Sequence, residues 1–199
     1  MHGLIFRTIE SFVRDNFGAD RWEYAVEVAN LDIGSFEAML SYDAAYLPKV
    51  LEGCSVSLNR APAVILEDIG TYLVTHENHA FVRRLMRFGG DTFVELLHSL
   101  DDLPGRTRLA VTGLDLPAIT VKEHTAQQFT ILCEGGPEGF GHVLVGLLRA
   151  MADDYGALAL LDFHGVKSGR EVIEATVVDL SFAEDRGFSL ADVGLELSA

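Results

Sequence analysis

Near residue 110 the spacing of apolar side chains changes, and that change constrains the fold more than any single motif does. Before it, apolar residues recur every three to four positions, the helical period. After it they fall in short β-branched and aromatic runs between polar punctuation, the mark of strands. In the opening segment Ile5, Phe6, Ile9, Phe12 and Val13 take one side, and Arg7, Glu10, Ser11 and Arg14 the other. Gly18 stops this helix in the usual place of a terminating glycine. Further helices are predicted over 20–30 and 43–57, and over 62–77 from a start at Asn59 and Pro62. A short one from His79 to Phe88 ends at Gly89-Gly90. Asp91 or Thr92 caps the next helix, which carries Phe93, Leu96, Leu97, Leu100 and Leu103 on one face. Pro104-Gly105 should bend or end it, because proline lacks the donor and clashes with the preceding turn.

Beyond the change, AITVKE (118–123) and QQFTILCE (127–134) read as strands. Phe140, Val143, Leu144, Leu147 and Met151 mark a helix over 139–154. Two more strands, 157–166 and 170–182, join through a hairpin-like turn at Lys167-Ser168-Gly169. The order predicts an α+β fold in one domain over 1–182: a helical part to about 110, then a small antiparallel sheet over 111–182 with one helix inserted. Residues 183–199 form a mildly acidic tail.

Fifteen basic against 30 acidic side chains give a formal charge of −15, which repels a nucleic-acid backbone or an anionic membrane surface. The arginines at 83, 84 and 87 read as a solvated helix face. Cys54 and Cys133 make neither a disulfide framework nor a metal-ligand pattern. The N-terminus turns charged too soon for a secretory or membrane-spanning segment, and no other run is long enough to span. A cytoplasmic protein is the expectation.

Several strings then point to one family. The opening MHGLIF…FVRDNFG with Trp22-Glu23, the pair Tyr42-Asp43, LEDIGTYL (66–73), FVELLHSLDDLP (93–104), LDLPAITV (114–121) and GLLRAMADDYG (146–156) occur in order over about 1–182. Together they resemble the haem nitric oxide/oxygen-binding (H-NOX) domains, known from soluble guanylate cyclases and from stand-alone bacterial gas sensors. The resemblance implies an H-NOX-like fold with a haem between the helical part and the sheet part. It also implies a sensory rather than catalytic role, so the domain is expected not to be an enzyme.

Two departures stand against the family's cofactor. The histidine that ligates the iron follows the SLD string in the family; here that place holds Pro104, 13 residues before Pro117. Proline offers a metal no lone pair. The family's Tyr-x-Ser-x-Arg clamp for the haem carboxylates corresponds to Cys133-Glu134-Gly135-Gly136-Pro137, with neither hydroxyl nor guanidinium. No Lys or Arg occurs between Lys122 and Arg149, while Glu134 and Glu138 add negative charge.

Other residues offer no clear replacement. His98 falls about 160° from the apolar face of its helix at ~100° per residue and points to solvent; it is still the least remote substitute iron ligand. His142 is expected on the surface for the same reason, and His76 and His79 as a surface pair across a helix end. His2 is terminal, and His124 and His164 lie near strand ends without forming a cluster. Cys133 reads as a buried, inert thiol. Gly135-Gly136-Pro137-Glu138-Gly139 lacks the Lys-Ser/Thr of a phosphate loop. Asp101-Asp102 and Asp153-Asp154 read as solvated helix ends.

The resemblance places a crevice along Ile5, Ile9, Leu73, Pro104, Pro117, Cys133, Gly135 and Pro137, with Phe93, Phe129 and Phe140 as fillers of an emptied site. The expectation is a regulatory protein that does not hold haem in the family's manner. It would take another small apolar ligand, or act through a signalling partner of cyclase, kinase or diguanylate cyclase type. The alternative is a haem-based NO/O2 sensor with a substitute ligand.

Overall fold

Met1 and His2 set the first helix by pairing with a distant loop. The terminal ammonium donates to the Tyr42 carbonyl (2.7 Å), the Tyr42 N–H returns to the Met1 carbonyl (2.9 Å), and the His2 Nδ1 caps the helix by accepting from the Leu4 N–H (3.2 Å). Gly3 donates to the Leu40 carbonyl (2.7 Å), so close that a Cβ there would lie 2.1 Å from the Glu37 oxygen. The structure, a computed structural model, describes residues 1–179.

Helices α1 (Gly3–Phe17), α2 (Ala19–Val28), α3 (Tyr46–Leu58) and α4 (Pro62–Thr75) enclose a first core around Phe6, Trp22, Phe36 and Ile65. A single turn, Glu77–His79, leads into α5 (Ala80–Arg87). The helix expected up to Leu103 divides. A capping box of Thr92 and Glu95 starts α6 (Phe93–His98), a turn of 3-10 helix covers Leu100–Asp102, and α7 (Leu103–Ala110) begins anew. Pro104 thus opens a helix instead of ending one. In the first turn its missing N–H has no helical partner to lose.

Strands β1 (Ala118–Thr125), β2 (Gln128–Glu134), β3 (Leu158–Lys167) and β4 (Arg170–Asp179) form one antiparallel sheet in the order β1-β2-β4-β3, with α8 (Phe140–Tyr155) inserted between β2 and β3. The expected α+β arrangement is therefore present. The strand expected to reach residue 182 is described to Asp179, and the tail expected over 183–199 lies outside the described residues. The inner face of the sheet (Phe129, Ile131, Ile173, Ala175), α6 and the buried side of α8 (Leu144, Leu148, Met151) make a second core. Among the described residues no helix is long and apolar enough to cross a membrane.

Helix α8 joins the two cores because it also packs along α4, and two glycines set the distance. A Cβ on Gly146 would lie 1.8 Å from the Glu67 carbonyl oxygen, and one on Gly70 would lie 2.0 Å from that of Val143. Glu67 then fixes the outer side of the crossing, accepting from Arg149 (2.5 Å) and lying 3.2 Å from the His142 Nδ1. His142, expected on the surface, is partly covered in this way, with its ring 4.0 Å from that of Phe163.

Candidate functional site

Between the two cores lies a cavity of about 310 Å³. On one side Ile9 from α1 and Leu66, Ile69 and Leu73 from α4 belong to the first core, with Ile5 of α1 beside them; the second core contributes Met86, Leu103, Leu144 and Leu147. Thr8, Asn78, His79, Thr107, Asp115 and Glu138 are its polar lining residues, Asp115 and Glu138 being themselves open to solvent, and among the described residues no lysine or arginine lines it. Its size is at the lower end of the roughly 300–1,000 Å³ of small-molecule sites.

Of the residues expected along the crevice, Ile5, Ile9, Leu73 and Pro137 line this cavity, and so does Phe140. Four others do not, each for a local reason. Helix α7 turns Leu103, Thr107 and Ala110 toward the cavity, and Pro104, one position on from Leu103, is rotated away by ~100°. Pro117 is buried against Gly136, where a Cβ would meet its Cγ at 2.5 Å. Cys133 points with Phe129 and Ile131 into the second core, where burial pushes its thiol up to about 12, helped by the charge of Glu171. Gly135 is exposed on the turn after β2, at φ 67°. Phe93 and Phe129 fill the second core and do not line the cavity.

His98 does not line the cavity either. Its Nε2 lies 3.3 Å from a Glu123 oxygen, and its ring stands edge-on to Phe129 at 5.6 Å. The imidazole on the cavity wall is His79, at the corner between the Glu77–His79 turn and α5. It packs against Tyr72 with ring centroids 4.9 Å apart. Burial, then the neighbouring His76, hold its pKa below the ordinary histidine value, against the opposing pull of Asp15. That keeps the ring neutral at neutral pH. Sequence spacing gave no sign of this role, because His79 belongs to a turn and carries no periodic signal.

The second feature missed in the sequence is Glu171 on β4. Its carboxylate accepts from the N–H groups of Gly139 (2.7 Å) and Gly141 (2.6 Å), so the chain's own acid occupies the N-terminus of α8. Gly139 and Phe140 line the cavity beside it. Glu138, next to this cap, is exposed and has no basic partner among the described residues. Asp115 lies 3.3 Å from Arg108. Among the described residues no group of three His, Cys, Asp or Glu side chains is placed to hold a metal ion.

Comparison with known proteins places this architecture. The chain is similar to the Fe(II) unliganded H-NOX protein from K. algicida, with a TM-score of 0.76 at 17% identity over 90% of this chain and 97% of that one. It is also similar to the I5F mutant of the T. tengcongensis H-NOX protein, with a TM-score of 0.71 at 14% identity over 90% and 98% of the two chains. At such identities the likeness establishes the fold. Among curated proteins it resembles soluble guanylate cyclase 89Da of Drosophila melanogaster, 19% identical over 175 residues, and soluble guanylate cyclase gcy-31 of Caenorhabditis elegans, 20% identical over 154. Those alignments cover 88% and 77% of this chain but span only 25% and 22% of the cyclases. A family model described as haem-NO-binding matches residues 2–159, and the chain belongs to this haem-NO-binding (H-NOX) family of sensor domains.

Proposed function

We propose that this H-NOX domain is a regulatory module that does not hold haem in the family's manner and instead takes another small apolar ligand between its two cores. The observation that carries the reading is the lining itself: an apolar cavity with, among the described residues, no lysine or arginine, two acidic residues, and no imidazole from α7. The residues present do not fit a haem. The resemblance puts the iron ligand at Pro104, which has no lone pair to give and is turned from the cavity. The haem carboxylates would need cations where the chain has Glu138 and a helix N-terminus already taken by Glu171. A signalling enzyme of cyclase, kinase or diguanylate cyclase type is the proposed partner, in keeping with cyclase relatives that are several times longer than this chain.

The rival reading is a haem sensor with a substitute ligand. His98 does not serve it, being held at the surface by Glu123; His79 is the imidazole in position to be tested.

The ligand reading is tested with Nile red, a neutral apolar fluorophore. Saturable binding near one equivalent is expected, and Leu73→Trp, which places an indole on the cavity wall, is expected to weaken it about tenfold or more while leaving the circular dichroism spectrum unchanged. Absence of saturable binding, or equal binding by a folded Leu73→Trp protein, contradicts the reading.

A further inference from the structure

Resting on the reading of the cavity as a site for an apolar ligand, we infer that the site selects by charge. It accepts an apolar molecule whose polar end is uncharged or a protonated amine, and it rejects the carboxylate of the same chain length.

Three observations converge. First, the lining residues include Asp115 and Glu138, both open to solvent, and among the described residues no lysine or arginine, so there an anionic end has no counter-ion. Second, the N-terminus of α8, the natural local seat for an anion beside this cavity, is already satisfied. Glu171 takes the N–H of Gly139 at 2.7 Å and that of Gly141 at 2.6 Å. A carboxylate arriving there would meet a resident carboxylate instead of free donors. Third, His79, the one imidazole on the wall among the described residues, offers a neutral hydrogen-bonding ring, able to pair with a hydroxyl or an ammonium but carrying no charge for an anion.

The two acidic lining residues differ. Asp115 shares its charge with Arg108 at 3.3 Å, whereas Glu138 has no such partner among the described residues. Glu138 is therefore the main attraction for a cationic end. The formal charge of −15 acts in the same direction at longer range.

The test displaces Nile red from the intact chain with decylamine, decanol and decanoate at neutral pH and below their micellar concentrations. Decylamine and decanol are expected to displace the dye at concentrations about tenfold or more below decanoate, the order expected of one or two weakly screened charge contacts. Raising the salt concentration should narrow the gap. The double variant Glu138→Gln with Asp115→Asn changes two exposed side chains, so the fold should be retained. It should remove the advantage of decylamine over decanol and improve decanoate severalfold. Decanoate binding as well as decylamine overturns the charge selection while leaving the apolar site standing. A gap untouched by the double variant overturns the role of the two carboxylates. If none of the three displaces the dye, the reading on which the inference rests fails with it.

Discussion

Gly146→Ala is expected to lower the unfolding free energy by about 3 kcal/mol, and the melting temperature of a chain this long by roughly 6–12 °C. The added methyl would lie 1.8 Å from the Glu67 carbonyl oxygen and 2.6 Å from its carbon, and both are backbone atoms of α4 that have no rotamer to escape into. Relief requires α4 and α8 to separate, and these are the helices that carry Leu66, Ile69, Val143 and Leu147 along the cavity. Thermal unfolding by circular dichroism measures the loss. Gly105→Ala is the control. That glycine lies in α7 with open space around it, so alanine there should be neutral or stabilise by up to about 1 kcal/mol. A Gly146→Ala protein as stable as the parent would mean that the two helices do not cross this closely.

Glu10→Ala should cost about 3 kcal/mol, the second largest effect expected. The sequence put Glu10 with the polar side of the first helix, but in the fold it is 1% exposed. One carboxylate oxygen accepts from the Phe36 N–H (2.9 Å), the other from Arg14 (2.9 Å) and Arg7 (3.0 Å), and Ser35 donates to both. Removing the carboxylate leaves a buried N–H without a partner and releases the loop that seats Phe36 against Phe6 and Trp22. The arginines are partly exposed and turn to water, which limits the loss. Glu10→Gln keeps an acceptor for the Phe36 N–H and should cost no more than about half as much. Denaturant unfolding of the three proteins gives the comparison.

These two residues mark the boundary of what the sequence made legible. Periodicity located most of the helices and all four strands because each buries one regular face. The ordered strings that suggested the family also have local reasons in the structure. Gly3 allows a backbone contact with Leu40, the Trp22 indole donates to the Gly34 carbonyl (2.8 Å), Tyr42 pairs with the terminus, and Gly70 and Gly146 set a helix crossing. Pro104 reads as a helix stop in the sequence because a proline that interrupts one helix and a proline that opens the next look alike in a linear pattern. Glu10 and Glu171 were not recognised as buried or capping groups, since their partners lie 26 to 32 residues away and leave no periodic trace. For the same reason the cavity was located only in part. Ile5, Ile9, Leu73 and Pro137 came from the family resemblance, whereas His79 and Leu103 needed the fold.

Whether the domain takes haem is read from an absorption spectrum of the protein expressed with ample haem precursor, followed by titration of the apo form with haem. No absorption in the visible range as purified and no saturable, stoichiometric Soret band on titration are expected, because α7 offers Pro104 at the ligand position and the walls, among the described residues, offer no cation to the haem carboxylates. A stoichiometric Soret band would contradict it, and loss of that band in His79→Ala would assign the iron to the imidazole on the cavity wall.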